Sequence, residues 1–158
     1  TSTSLRHAQG DKRGYMNINQ ISIFLENKPT TLSELTNTFA EYNINMRAIS
    51  LADSSDFGIA RIIVDDPESA KQTLKNNDYI VSLTPVLLVE IADETGSLNK
   101  ILGLFAKNDI NLEYMYGFTG KTSGCAYMIM RCTDTDKAEK VLSENGIHLV
   151  GQSEITKI

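Results

Sequence analysis

The chain repeats itself, and this internal repeat restricts the fold more than any other feature of the sequence. A shift of 66 residues places identical residues on one another at Leu32/Leu98, Phe39/Phe105, Ala40/Ala106, Ile44/Ile110, Asn45/Asn111, Gly58/Gly124, Ala60/Ala126 and Ile63/Ile129. A slightly longer shift then aligns Ala70/Ala138, Leu74/Leu142 and Asn77/Asn145, which indicates a small insertion in the later copy. Because self-similarity at a fixed period marks a repeated structural unit, we interpret the chain as a tandem duplication.

The pattern of apolar residues predicts the same order of elements in both copies. Ile21, Ile23 and Leu25 alternate like a half-buried strand, and apolar residues from Leu32 to Phe39 then recur at the three-and-four spacing of a helix. The second copy repeats these patterns from positions 87 and 98. Further strands are predicted at about 44 to 52, 58 to 64, 79 to 83, 110 to 118, 124 to 131 and 147 to 151.

Three helix starts carry capping signals. Thr31 with Glu34, and Thr133 with Asp136, have the spacing of a capping box, in which a hydroxyl and a carboxylate satisfy the first backbone N–H groups. Asp66 is followed directly by a proline, which suits a cap residue before the first helical turn. We therefore expect helices to begin at these three points.

The resulting order, β-α-β-β-α-β, predicts an α+β fold of two ferredoxin-like units, each with an antiparallel four-stranded sheet covered on one face by two helices. We place the units at 17–84 and 85–158, joined by a tight connection at 82–86. Units of about 65 residues have small cores, so we expect the two to pack as a pseudo-dimer. Residues 1–16 show no periodicity and are interpreted as a disordered tail or as residues added for expression, with Met16 as the natural start in the second case.

Charge and hydropathy exclude several classes of protein. The net charge is −5 and the pI is about 5.0, which gives no overall basic field for nucleic acid or anionic lipid. No apolar run approaches the roughly 18 to 20 residues needed to span a bilayer, and no signal peptide is visible. The third strands, FGIARIIV and SGCAYMIM, lack the basic aromatic motif of RNA-recognition modules. We expect a cytoplasmic protein that binds neither nucleic acid nor membrane.

Catalytic and metal-binding patterns are weak in this sequence. Cys125 and Cys132 have no CxxC or Cys/His spacing, so we interpret them as reduced thiols of a strand region. His7 falls in the predicted tail, and His148 is interpreted as an isolated strand residue. The P-loop motif GxxxxGK[ST] is absent, and no serine, histidine and acid fit a catalytic triad. We expect no cofactor, no metal and no enzymatic activity.

The strand-to-helix junction IADETGSL, residues 91–98, is the most informative loop. The first N–H groups of a helix lack partners within the helix and, with its dipole, attract a carboxylate. Gly96 would let a ligand approach the backbone closely, and the Asp93 carboxylate could bind an ammonium group. Such a pair of features suits a zwitterionic amino acid. The alternative is that Gly96 only turns the chain and Asp93 is a solvated cap.

A stretch in the second copy, IADETGSLNKILGLFAKNDINLEYMY at 91–116, resembles the opening of an ACT domain, the small amino-acid-sensing module attached to many metabolic enzymes. The likeness rests on an acid ending the first strand, a glycine and a leucine two residues apart, an isoleucine/phenylalanine helix face, and an Ile-Asn pair entering the second strand. The first copy, 21–50, resembles the same motif and especially the small regulatory subunit of acetolactate synthase. Together the copies are most similar to stand-alone bacterial tandem ACT proteins.

The resemblance implies that an amino acid binds between paired ACT units, at the loop from first strand to first helix. In the second copy it implies the binding residues Asp93, Glu94, Thr95, Gly96, Ser97, Leu98 and Asn111. In the first copy it implies Asn27, Lys28, Pro29, Thr30, Thr31, Leu32 and Asn45.

The first copy departs from the family pattern at its loop. Thr30 takes the place of the glycine, and a β-branched residue is poorly suited to positive φ. Asn27 replaces the acid, while Pro29 would stiffen the loop. We therefore expect two unequal sites. Tyr114 and Tyr116 share one face of the second copy's second strand, where they either floor a pocket or, as we favour, cover the sheet.

Two functions remain under consideration. The leading hypothesis is a non-catalytic tandem ACT protein that senses a free amino acid and, with no residues left over for a catalytic domain, acts on a partner in trans. The alternative is a regulatory or interaction subunit of an amino-acid biosynthetic enzyme, whose main role is partner binding. Both hypotheses are compatible with a homodimer. An enzyme on this scaffold is a third hypothesis, with less support from the sequence.

Overall fold

The computed structural model describes residues 17–53 and 56–158. The predicted tail at 1–16, including His7 and Met16, lies outside the described residues. The described residues divide into two compact units, which we call the N-terminal unit, Asn19–Thr84, and the C-terminal unit, Pro85–Ile158 together with Asn17 and Ile18. Within the described residues, no helix is both long enough and apolar enough to cross a membrane.

The N-terminal unit has the predicted β-α-β-β-α-β order. Its elements are β1 Asn17–Glu26, α1 Thr31–Glu41, β2 Met46–Asp53, β3 Phe57–Val64, α2 Pro67–Asn76 and the first part of β4, Ile80–Ala92. The strands lie in the order β2-β3-β1, with β4 beside β1, and β3 is antiparallel to both β1 and β2. The alternating residues Ile21, Ile23 and Leu25 pack with Leu35 and Phe39 of α1 in one buried cluster.

The C-terminal unit repeats this order. Its elements are the second part of β4, α3 Ser97–Lys107, β5 Leu112–Phe118, β6 Cys125–Cys132, α4 Thr135–Glu144, β7 His148–Leu149 and a 3-10 helix at Gln152–Lys157. β4 pairs with β6 on one side and β7 on the other, β6 pairs with β5, and all three pairings are antiparallel. Leu87 and Val89 of β4 pack against Ile101 and Phe105 of α3, as the apolar pattern predicts. The prediction of two ferredoxin-like units is confirmed.

Two of the three predicted helix caps are wrong by one residue. The N-cap of α1 is Thr30 rather than Thr31, and its helical φ/ψ of −92°/−13° leaves the side chain without a capping hydrogen bond. The N-cap of α4 is Asp134 rather than Thr133, because its extended backbone lets its carboxylate accept from the Lys137 N–H at 3.1 Å.

The third cap is confirmed. Asp66 caps α2, and its carboxylate accepts from the Ser69 N–H at 3.2 Å, with the proline next to it in the first helical turn. A carboxylate at this end of a helix also interacts favourably with the helix dipole.

Two strand predictions also need correction. Residues 82–86 are not a tight turn, since they belong to the continuous strand β4. The fixed φ of Pro85 is compatible with a strand, and its carbonyl accepts from the Arg131 guanidinium at 2.7 Å. The last strand is only two residues long, because the chain turns at Gly151 into the 3-10 helix, where the Gly151 N–H donates to Glu154 at 3.3 Å.

We predict that Asp134→Ala lowers the free energy of unfolding by about 1 kcal/mol, since it removes the carboxylate that caps α4. Thr30→Ala is the matched control, because that N-cap side chain makes no capping hydrogen bond. Urea unfolding followed by circular dichroism measures both. An equal loss in the two variants would contradict the assigned caps.

Candidate functional site

A cavity of about 680 Å³ lies in the C-terminal unit where β4 ends and α3 begins. Its wall is formed by the end of β4, the loop into α3, the turn before β6 and the turn before β7. This is the junction at which the sequence predicts a binding loop. Glu90, Glu94, Lys100, Cys125 and His148 supply its charged or titratable side chains.

Three glycines of left-handed backbone conformation line this cavity. Their φ angles are +94° at Gly96, +79° at Gly124 and +73° at Gly146. Glycine adopts this region without steric cost and leaves its own backbone open to a neighbouring molecule. A Cβ at Gly96 would meet no atom within 4 Å, so a larger residue there is disfavoured by backbone strain rather than by a clash.

Gly96 is also the N-cap of α3, at a helix end without a side-chain cap or an acidic first-turn residue. The Gly96 carbonyl accepts the first helical hydrogen bond, from the Lys100 N–H at 3.1 Å, while the Ser97 N–H donates to the Glu94 carbonyl at 3.3 Å. Unpaired N–H groups at a helix N-terminus, together with the positive end of the dipole, attract an anion. This edge of the cavity is therefore suited to a carboxylate.

Glu90 supplies a carboxylate to the same cavity. It lies on β4 directly opposite Tyr127 of β6 and His148 of β7. The Tyr127 hydroxyl donates to Glu90 Oε1 at 3.1 Å, and His148 Nε2 lies 3.7 Å from Glu90 Oε2. His148 Nε2 also lies 3.5 Å from Glu154 Oε2. Glu90 and the N-terminus of α3 thus line the same cavity.

Two neighbours of Glu90, Cys125 and Tyr127, are neutral donors at physiological pH. A hydrogen bond to the Glu90 carboxylate raises the pKa of the Cys125 thiol, with burial adding to the effect. The pKa of Tyr127 is also raised, chiefly by burial. A hydrogen bond with Thr122 lowers this pKa, but by less than burial raises it. Both groups therefore keep their protons and can donate them to the carboxylate as hydrogen bonds.

The two cysteines lie at the two ends of β6, and neither is bonded to another cysteine. Burial raises the pKa of Cys132 to about 11. A thiol with a raised pKa is protonated near neutral pH, and a protonated thiol is a poor nucleophile.

The structure brings some of the predicted loop residues together at the cavity. Those that line it are Glu94, Thr95, Gly96 and Ser97. Three others do not line it. The Asp93 N–H donates to the Gly124 carbonyl at 2.9 Å, Leu98 packs against the core, and the Asn111 side chain donates to Thr133 Oγ1 at 3.1 Å.

The equivalent loop of the N-terminal unit borders a separate cavity of about 400 Å³. Lys28, Thr30 and Thr31 line it. The other predicted residues do not; they are Asn27, Pro29, Leu32, which packs against the core, and Asn45.

The backbone of this first loop differs from that of its counterpart. Thr30 has a φ of −92° where Gly96 has +94°. Lys28 Nζ lies 2.6 Å from the Glu26 carboxylate, and this ion pair, through its hydrogen bond, raises the pKa of Lys28. The two loops therefore present different backbone and charge to their cavities.

Sequence reasoning missed nine of the residues that line the cavity, which are Glu90, Ile91, Ala92, Lys100, Gly124, Cys125, Gly146, Ile147 and His148. One signal was available, because Glu90 interrupts the apolar run of β4 with a charge. Tyr114 and Tyr116 stack on β5 with ring centroids 6.4 Å apart, and neither lines the cavity.

The chain matches one protein family and several solved structures. The family described as an ACT domain pair matches residues 16–158. No curated protein gives a match. Among solved structures, protein BT0572 from Bacteroides thetaiotaomicron is 37% identical, with a TM-score of 0.85, over 92% of this chain and 99% of that one.

More distant structures share the fold alone. The regulatory subunit of aspartate kinase from Thermus thermophilus is 14% identical, with a TM-score of 0.56, over 80% of this chain and 91% of that one. The corresponding subunit from Thermus flavus is 17% identical, with a TM-score of 0.55, over 80% and 90%. The likeness of the first copy to the acetolactate synthase small subunit stays a prediction. The match over residues 16–158 shows that the chain belongs to the family of tandem ACT domain pairs.

Proposed function

We propose that this protein is a non-catalytic regulatory protein that binds a free amino acid in the cavity beside Gly96 and acts on a partner in trans. The observation that carries the proposal is the N-terminus of α3, which has no side-chain cap and borders a cavity that Glu90 also lines. The helix end suits the carboxylate of an amino acid, and the acidic group suits its ammonium. Membership in a regulatory, amino-acid-binding family supports the same ligand class.

Regulation requires that the ligand bind two arrangements of the protein with unequal affinity. The loop from β4 into α3 borders the cavity, and its left-handed glycine leaves the backbone open to a ligand. The first loop, with Thr30 in place of the glycine, offers a different geometry. We therefore propose that the C-terminal unit contains the main binding site.

A thermal-shift panel of the twenty common L-amino acids tests the binding proposal. An amino acid present at about 100 times its dissociation constant stabilises the folded state by roughly 2.7 kcal/mol, which raises the melting temperature by several degrees. Failure of every amino acid to raise the melting temperature would overturn the sensing function.

Gly96→Val locates the site. We predict that it abolishes binding of the amino acid selected by the panel, because valine strongly disfavours a φ of +94° and adds a side chain at the mouth of the cavity. The fold should persist, with a stability loss of about 1 to 3 kcal/mol.

Gly103→Val is the matched control, since Gly103 lies on the exposed face of the same helix and a Cβ there meets nothing within 4 Å. Titration calorimetry compares both variants with the wild type. Unchanged affinity in Gly96→Val would mean that the loop only turns the chain.

A second candidate function is partner binding as a regulatory subunit of an amino-acid biosynthetic enzyme. The observation that favours it is an exposed apolar surface on the N-terminal unit, formed by Phe24, Phe57, Ile59 and Ile80. These residues alternate with the buried residues of their strands, and the rings of Phe24 and Phe57 stack at 5.0 Å. Clustered exposed apolar side chains of this kind often form protein interfaces.

Ile80→Glu tests this second candidate. Ile80 is 71% exposed, so the substitution should leave the stability of the unit nearly unchanged while placing a charge in the apolar surface. We predict that a catalytic subunit co-purifies with the wild type without added amino acid and is lost from the variant. Co-purification that the charge does not weaken would contradict a role for this surface. Light scattering on the purified chain shows whether a second copy, rather than an enzyme, covers it.

A further inference from the structure

We propose that Glu90 binds the ammonium group of the amino acid in the cavity beside Gly96, and that it makes the site selective for amino acids over other carboxylic acids. The inference rests on the proposed function and adds the residue that determines specificity. The sequence assigned the ammonium to Asp93, but Asp93 does not line the cavity and Glu90 does.

The position of Glu90 in the sheet directs it away from the helix-covered core. Val89 lies next to it in β4 and packs in the core with α3, so the alternation of the strand places Glu90 on the other face. β4 is flanked by β6 and β7 at this point, which fixes the backbone of Glu90 from both sides. The side chain is 25% exposed, so it can contact a small molecule while water screens it less than the carboxylates of the loop.

Packing fixes the orientation of the Glu90 carboxylate. Tyr127 donates its hydroxyl to Oε1 and is only 3% exposed. A Cβ at Gly120 would come within 2.3 Å of the Tyr127 ring, so the ring fills the space that this glycine leaves. Because the donor is itself immobilised, the carboxylate is held in place before a ligand arrives, which lowers the entropic cost of binding.

The carboxylate still has room for another donor. An ionised carboxylate has about four acceptor positions. Tyr127 occupies one on Oε1, and the Cys125 thiol is a second donor. His148 Nε2 is 3.7 Å from Oε2, beyond hydrogen-bond distance. These two donors leave about two acceptor positions, so an ammonium group can still hydrogen-bond to the carboxylate.

Groups of both signs line the cavity, as binding of a zwitterion requires. The α3 N-terminus presents N–H groups and the positive end of a helix dipole, and Glu90 presents a full negative charge in the same cavity. Tyr127 and Cys125 are neutral, so their hydrogen bonds orient the carboxylate without cancelling its charge. A 2-hydroxy acid keeps the carboxylate of the amino acid but replaces the ammonium with a neutral hydroxyl. Glu90 should discriminate between the two.

The test combines protein variants with matched ligands. Each L-amino acid that binds the wild type is titrated by calorimetry, together with the 2-hydroxy acid that carries the same side chain. We expect Glu90→Gln to weaken the amino acid about ten- to a hundred-fold, as for loss of a charged hydrogen bond, and the hydroxy acid by less than about three-fold. Tyr127→Phe, which removes only the orienting hydroxyl, should weaken the amino acid by a smaller factor.

Glu144→Gln is the control, because it removes the same charge from the exposed end of α4 outside the cavity. Melting curves of all variants confirm that they are folded. Equal weakening of both ligands by Glu90→Gln, or weakening of neither, would overturn the role of Glu90 while leaving the proposed function in place. If no amino acid binds the wild type, the proposed function and this inference are both overturned.

Discussion

The turn from β4 into α3 requires a left-handed backbone at Gly96, and the candidate site depends on this conformation. A φ of +94° allows the chain to leave the sheet and enter the helix at an end that has no side-chain cap. The turns before β6 and β7 also contain a left-handed glycine, at Gly124 and Gly146. The cavity wall is therefore formed by backbone atoms at these three glycines. The absence of side chains there lets a small ligand contact main-chain groups directly.

Duplication has preserved the framework of each unit while the loops have diverged. Both units have the same order of elements and the same pattern of buried residues, because each must cover one face of its sheet with two helices. The loop before α1 does not have to cover the sheet in this way. In this loop Thr30 has a φ of −92°, and Lys28 forms an ion pair with Glu26. One loop resembles a site for a zwitterion, and the other already contains an internal ion pair.

Most of the fold could be predicted from the sequence, because strand and helix periodicities are local properties. The alternation from Ile21 to Leu25 and the spacing from Leu32 to Phe39 correspond to buried faces in the structure. Helix caps were displaced by one residue at Thr31 and Thr133, since which of two adjacent polar residues caps a helix depends on backbone angles that spacing does not determine.

The candidate site was only partly predictable. Gly96 could be proposed from the sequence, because a glycine between a strand and a helix can adopt a positive φ, and the structure has +94° there. Glu90 could not, since its role depends on the register that places Tyr127 and His148 opposite it, residues that are 37 and 58 positions away in the chain. The register between strands so far apart in the chain depends on the packing of the whole core. It cannot be predicted from the sequence of a single segment.

A crystal structure of the protein with an amino acid that binds it is the most direct test of the central claim. The account predicts one amino acid in the cavity of the C-terminal unit, with its carboxylate within hydrogen-bond distance of the backbone N–H groups at the start of α3. An amino acid bound instead at the Thr30 loop, or away from both loops, would contradict it.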